Sequence, residues 1–424
     1  MNIHVVRPGE SVESIAIRYG VDPARLAADS SVPPNGALAI GQTLVIRFPR
    51  QIHAVQAGET LASIADRYGT TVRNLWRKNW SLGGGNLISP GHSLVISCFD
   101  EPLGNAVSNG YAYPYIAPNL LAEQLPYQTF LSPFTYGISA SGSLIPLEDD
   151  ALLSAARQRG TRPVMHLSTL TESGQFDTQR GSLVLTDPAV QNRLIQDIMQ
   201  SVLRRGYAGV DVDFEYLPGT LATAYAAFLS RLRRLLHAQG LFLWTALAPK
   251  TNAAQRGLLY EGHDYAAVGA ASDGVLLMTY EWGYTYGPPM AVAPLPNVRA
   301  VLNYAVTAIP AEKILLGVPN YGYDWPLPFV QGVTRAQSIS NQRAIELALE
   351  HNIAIQYDTT AQSPFFHYTD AAGTVHEVWF EDARSISAKL RLIAEYGFYG
   401  AGFWNLMRPF SQTWLVLDSL YTLE

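Results

Sequence analysis

From Gly209 to Tyr216 the chain reads Gly-Val-Asp-Val-Asp-Phe-Glu-Tyr, with an acid at every second position. A β-strand alternates its side chains between two faces. Asp211, Asp213 and Glu215 therefore share one face, and Val210, Val212 and Phe214 share the other. Gly206 and Tyr207 lead in and Leu217-Pro218-Gly219 closes the segment, as in a buried core strand. Three carboxylates on one face of such a strand are costly to ionise together unless they serve a purpose. A row of this kind can share protons, keep one acid neutral near pH 7 and present a proton donor at the strand end. The segment reads as catalytic.

Other readings meet specific obstacles. A solvated edge strand also alternates acids with apolar residues, but Val-Val-Phe on the far face and a Gly-rich entry favour burial. A calcium loop starting at Asp211 would need Gly where Tyr216 stands and Glu where Ala222 stands. Magnesium on clustered carboxylates stays open at this point. No His-Glu-x-x-His, phosphate-binding Gly loop or paired-cysteine spacing supports another metal or a nucleotide, so no metal or cofactor is expected.

The chain has 424 residues, enough for two or three domains, and combines 48% hydrophobic with 15% charged residues, as packed globular proteins do. Its net charge of −6 is uneven. Residues 1–100 carry nine Lys and Arg against seven Asp and Glu (+2), and the rest carry twenty against twenty-eight (−8). An acidic main portion argues against nucleic acid as substrate. Cys98 is the only cysteine, which excludes an intrachain disulfide. The opening Met1–Gly9 has no basic stretch followed by an apolar run, so no signal peptide is expected in this chain. No apolar run approaches the length of a membrane span.

A repeat of about 49 residues fills the first hundred positions. His4-Val5-Val6-Arg7-Pro8-Gly9-Glu10-Ser11 returns as His53-Ala54-Val55-Gln56-Ala57-Gly58-Glu59-Thr60, and Arg18-Tyr19-Gly20 as Arg67-Tyr68-Gly69. Ser11 and Thr60 are helix N-caps by position. Each copy reads strand, helix, helix, strand, and the boundaries expected are 1–48 and 49–99. Both copies resemble the lysin motif, LysM, whose members bind N-acetylglucosamine-containing glycans such as peptidoglycan or chitin. A spacer or protein-binding role is the plainer alternative. Two weak modules in tandem gain most on a repetitive polymer.

Beyond residue 100 apolar strands alternate with helical stretches. Candidate strands are Gly110–Ile116, Thr129–Tyr136, Pro163–Leu167, Gly209–Tyr216, Phe242–Ala246, Gly274–Thr279, Ile314–Val318 and Gly400–Phe403, with amphipathic segments such as Ala189–Arg204, Ala222–Ala238 and Ile386–Tyr396 between them. Eight strand–helix units predict an α/β fold, a (β/α)8 TIM barrel over 100–424, with functional side chains at the C-terminal strand ends. About fifty residues, 330–380, separate strands seven and eight. They predict a small α+β insertion walling one side of the cleft.

The barrel resembles glycoside hydrolase family 18, whose Asp-Gly-x-Asp-x-Asp-x-Glu motif is matched by Gly209, Asp211, Asp213 and Glu215, with Ala208 in place of the first Asp. Met278-Thr279-Tyr280-Glu281 resembles the family's Met-x-Tyr-Asp. Gly317-Val318-Pro319-Asn320-Tyr321-Gly322 resembles Gly-x-Pro-x-Tyr-Gly, and Gly400–Trp404 resembles the end of strand eight. The resemblance implies a retaining, substrate-assisted mechanism. In it Glu215 is the acid, Asp213 orients the 2-acetamido group, Asp211 shares a proton with Asp213, and Tyr280 bonds the acetamido oxygen. Trp404 would stack beneath the −1 sugar, with Tyr321, Glu281, Asn320 and Met278 also contacting substrate. Asp213 and Glu215, two apart on one strand, would approach the sugar from one side, leaving attack to the 2-acetamido oxygen. His166 is read equally well as a satisfied core histidine.

Two lysin motifs ahead of such a barrel resemble a narrower group, the spore cortex-fragment lytic N-acetylglucosaminidases and spore germination proteins of endospore-forming bacteria. That implies a monomer in the spore coat or cortex region acting on peptidoglycan, without membrane insertion. A catalytically silent glycan-binding protein is the rival reading. A chitinase or an endo-acting enzyme on other glycans is a third.

Overall fold

The computed structural model describes residues 1–32, 36–171 and 175–424. Eight parallel strands form the barrel: β1 (Asn105–Ala112), β2 (Phe130–Pro133), β3 (Met165–Ser168, led by Arg162–Pro163), β4 (Gly209–Asp213), β5 (Phe242–Leu247), β6 (Gly274–Leu277), β7 (Ile314–Pro319) and β8 (Gly400–Trp404). Each pairs with the next and β8 returns to β1. Contact between β2 and β3 continues past the strand end at Tyr136 and Leu167.

Register sets which residues look inward. Asp211 lies beside His166 on β3 and Trp244 on β5, so these three share a face. Trp244 belongs to an apolar cluster with Val107, Tyr111, Phe130, Phe134 and Leu276 that fills the barrel interior. Val210 and Val212 face outward into the larger core between sheet and helices. Helices flank the acidic strand on both sides. Pro188–Arg205 is capped by Asp187, which accepts from the amides of Ala189 and Val190, and it ends at Gly206 with φ of 66°. Ala222–His237 follows the strand.

The insertion is larger than its spacing predicts. A five-stranded antiparallel sheet begins at Gly322–Pro326 and continues through Gln337–Ile339, Gln356–Asp358, Ser363–Thr369 and Val375–Trp379, with the helix Asn341–Glu350 packed on it. It does not wall the cleft as expected. Its aromatic residues Tyr323, Trp325 and Trp379 pack behind Tyr280 and Val292, backing the loop after β6.

Each N-terminal repeat is strand–helix–helix–strand: Asn2–Val5, Val12–Tyr19, Pro23–Asp29 and Thr43–Ile46, then Pro49–Ala54, Leu61–Arg67, Val72–Lys78 and Ser93–Cys98. Ser11 and Thr60 cap their first helices in reciprocal boxes with Ser14 and Ser63. In both copies a histidine and a glutamate pair, His4 with Glu10 at 2.7 Å and His53 with Glu59 at 2.6 Å.

The modules are docked on the barrel. Arg47, its side chain fully buried, reaches Asp29 of its own module at 3.3 Å and Asp418 of the C-terminal helix Ser411–Leu420 at 3.6 Å. Lys78 of the second module reaches Asp418 at 2.8 Å, and Arg77 reaches it at 3.6 Å. Thr43 donates to Gln412 at 2.6 Å and Ser411 to the Asp29 carbonyl at 2.7 Å. The Arg73 guanidinium binds carbonyls of Pro126 and Gly160, in the loops before β2 and β3, at 2.9 and 3.1 Å. Those loops lie at the barrel end opposite the acids.

Candidate active site

β4 stops at Asp213, three residues short of the strand expected. Its neighbours give out there: the register ends at Ser168 on one side and Thr245 on the other. The Phe214 carbonyl accepts from His263 Nε2 at 2.9 Å instead of from a strand, and Tyr216 takes φ of 56°. Glu215 thus stands on a turn above the strand end and not on a continuing ladder.

The acids descend into the barrel. Asp211 is fully buried and accepts from the Tyr111 hydroxyl at 2.7 Å. Asp213, 5% exposed, has Oδ2 at 3.7 Å from His166 Nε2. The other nitrogen of His166 is 2.7 Å from Thr135 Oγ1. One oxygen each of Asp211 and Asp213 has no hydrogen-bond partner among the described residues. Such orphaned acceptors are expensive unless protonated or met by a ligand.

Burial governs the protonation. It pushes Asp211 up to about 6 against the Tyr111 bond, and pushes Asp213 well above the carboxylate range, reinforced by the charges of Glu215 and Asp211. Glu215 is raised to about 7 by burial and then by Glu281. His166 is held down to about 3 by burial, so it stays neutral. The site therefore raises the proton affinity of its acids above that of carboxyls in water.

A cavity of about 500 Å³ opens on Asp213 and Glu215, within the range of small-ligand sites. Trp404 lies across it, packed edge-on to Phe134 at 4.8 Å and tilted on Tyr111 at 5.7 Å. Met278, Tyr280, Glu281 and Trp282 form one wall; Tyr113 and Tyr216 also line it. Among the described residues nothing in this lining comes from the insertion.

Two expected contacts stand further back. Asn320 is buried: its amide binds the carbonyls of Asn405 and Arg408 at 3.3 and 3.1 Å, and its oxygen accepts from Thr413 at 3.1 Å. Its polar atoms are used up holding the loop after Trp404, not facing a ligand. Tyr321 is likewise buried behind the wall, and its hydroxyl donates to Glu281. Tyr323 donates to the same carboxylate at 3.0 Å. Tyr111 and Tyr323 escape the sequence reading, and His166, which the sequence leaves open between core and site, lies in the cavity lining. Their signal is parity: His166 is in register with Asp211, and Tyr111 alternates with Asn109 and Tyr113 on one face of β1.

The sequence profile described as Glycosyl hydrolases family 18 matches residues 166–408, and the LysM domain profile matches 4–47 and 53–97. Over 430 residues the chain is 41% identical to the Cortical fragment-lytic enzyme of Bacillus subtilis (strain 168), covering 99% of this chain and 98% of that one. The protein of the same description from Bacillus anthracis is 35% identical over 433 residues, covering 100% and 99%. The solved Bacillus megaterium QM B1551 spore cortex-lytic enzyme SleL matches with a TM-score of 0.84 at 36% identity, covering 100% of this chain and 98% of that one.

Proposed function

The chain belongs to the glycosyl hydrolases of family 18, and from that premise we propose that this glycoside hydrolase cleaves β-1,4 bonds at N-acetylglucosamine in peptidoglycan, with spore cortex fragments as its natural substrate. The relatives that support this reading match over essentially the whole chain, both LysM modules included, and their names describe action on cortical fragments. The LysM pair and the barrel together imply binding to N-acetylglucosamine-containing glycans. The same relatives support a site in the spore coat or cortex region. Side-by-side digestion of cortex fragments, chitin oligomers and a high-mannose glycopeptide tests the substrate: cortex fragments should be cleaved fastest, and preference for either of the others overturns the assignment.

The observation that carries the mechanism is Glu215 at the cavity wall two residues beyond a buried Asp213, with burial raising the Glu215 carboxyl toward the neutral form. Glu215 donates its proton to the glycosidic oxygen. Asp213 accepts a hydrogen bond from the 2-acetamido N–H as its oxygen attacks the anomeric carbon, an interaction that strengthens as charge develops. Asp211 takes the proton that Asp213 releases as it ionises at that moment, while the Tyr111 hydroxyl holds Asp211 in place. Tyr280 bonds the acetamido oxygen, and Trp404 lies under the sugar.

Glu281 also faces the cavity and invites a second reading, a nucleophile in a two-carboxylate scheme. Against it, Oε1 accepts from both Tyr321 and Tyr323, which makes it a blunted nucleophile. Both schemes retain the β configuration, so the acetamide decides between them. Substrates with a free 2-amino group should resist cleavage and a thiazoline analogue of the oxazoline should inhibit; efficient turnover of the amino sugar sinks substrate assistance. An α anomer appearing first in NMR of the product would sink both.

A further consequence concerns pH. The acid must be protonated in the free enzyme, so kcat/KM should fall about tenfold per pH unit above about 7, where Glu215 loses its proton. A profile flat to pH 9 would remove Glu215 from the role.

A further inference from the structure

Glu281 has an unusual setting. It lines the cavity with φ of 66°, a left-handed conformation that a non-glycine residue adopts only when its surroundings dictate it. Its carboxylate is held by a pair of phenols. The Tyr321 hydroxyl donates to Oε1, and the Tyr323 hydroxyl lies 3.0 Å from Oε1 and 3.1 Å from Oε2. Tyr323 belongs to the first strand of the insertion, paired with Ser338 on one side and Trp379 on the other. Its ring is 5% exposed, wedged between Tyr321 at 5.8 Å and Trp325 at 5.5 Å. The side chains of Thr285 and Ser338 hydrogen-bond the same hydroxyl.

We infer that Tyr323 is a positioning residue for the catalytic acid: by bonding Glu281 it keeps the proton of the facing carboxyl pair on Glu215. Two carboxyls that face one cavity compete for one proton. A hydrogen bond donated to a carboxylate stabilises its ionised form, so the phenols make Glu281 the poorer proton acceptor. The surrounding groups do not supply a competing cation. Tyr280 comes from the same loop, Glu215 and Tyr216 from the turn after β4, and Tyr321 and Tyr323 from the segment after β7. The Arg408 guanidinium stacks 5.8 Å over the Tyr321 ring. Among the described residues no Lys, Arg or His forms an ion pair with Glu281. Burial raises its proton affinity, and the bonds from Tyr321 and Tyr323 oppose that rise. Because Glu281 is open to the cavity, solvent screens it in the free enzyme and a bound sugar removes that screening. The effect belongs chiefly to the enzyme–substrate complex, hence to kcat.

The inference rests on Glu215 being the acid, and the test separates the two. The kcat–pH profile of full-length Tyr323→Phe on cortex fragments should have its alkaline limb roughly half a pH unit lower than the parent, while the acidic side of the profile keeps most of its rate. Glu281→Gln should move the limb the same way, and adding Tyr323→Phe to it should move the limb no further, because Tyr323 acts through Glu281. Tyr368→Phe is the control. It removes an equally buried phenol bond in the same insertion, to Asp324 at 2.7 Å, and should leave the limb in place. A limb unmoved in Tyr323→Phe, or moved equally by Tyr368→Phe, overturns the inference. If Tyr323→Phe does not fold, Tyr321→Phe removes the other phenol and must give the same shift for the inference to stand. An inactive Glu215→Gln beside an unmoved Tyr323→Phe limb rejects only this inference. An active Glu215→Gln rejects the assignment of the acid itself.

Discussion

Glu215→Gln should cost about 10²–10⁴-fold in hydrolysis while glycan binding survives, because the amide keeps the shape of the side chain but has no proton to give the leaving oxygen. The substitution also removes a carboxyl that burial and Glu281 hold neutral up to about pH 7. A group whose folded value is raised contributes stability at low pH that is lost as pH rises through that value. The variant should therefore melt no lower than the parent at pH 8, where the parent forces a charge into the cavity wall. Sedimentation with insoluble peptidoglycan and release of reducing ends measure the two halves separately. A variant within a few-fold of parental rate would mean that another group protonates the bond.

The second large effect lies far from the chemistry. Asp418→Asn should destabilise the chain by about 3–5 kcal/mol, the usual cost of removing one partner from a buried ionic cluster. Asp418 is the acid that Arg47, Lys78 and Arg77 share, and the Arg47 side chain has no exposure to water. Burial alone would raise the Asp418 carboxyl, but Lys78, Arg77 and Arg47 outweigh it and hold the group below its ordinary range. A depressed carboxyl contributes stability above its unfolded value and loses it as pH falls through the folded one. The cluster is thus complete at neutral pH and fails only at a pH below the ordinary carboxylate range. Thermal unfolding at pH 7 should show the variant melting well before the parent. Overlaid curves would mean that the docking rests on its uncharged contacts, Thr43–Gln412 and Ser411–Asp29, and on Arg73.

The barrel was legible because parallel strands buried on both faces make apolar runs, and all eight candidate segments overlap observed strands. The first strand begins five residues early, at Asn105 instead of Gly110. Its start carries Ser108, whose hydroxyl bonds the Tyr127 carbonyl on the outer face, and Asn109, which accepts from Ser132 on the inner face; polar residues of this kind read as loop. The acidic row was legible through its period of two, although the strand ends before the last acid. Tyr323 was not, and His166 could not be told from a core histidine, since each acquires meaning only from a neighbour distant in sequence. The docking cluster was hidden for the same reason: Asp29, Arg47, Lys78 and Asp418 look like four unrelated surface charges until the fold gathers them.

That gathering alters how anchoring and cutting are related in space. Modules on a slack tether sweep a volume, and the tether's length sets how often the blade meets the polymer. Here the tether is bypassed. The span from each LysM module to Glu215 is a fixed dimension of one stiff body, like the throat of a pair of shears. Lengthening the connector around residues 99–104 will not extend the enzyme's reach while Asp418 holds its three cations, and only glycan lying within that throat can be gripped and severed in one encounter.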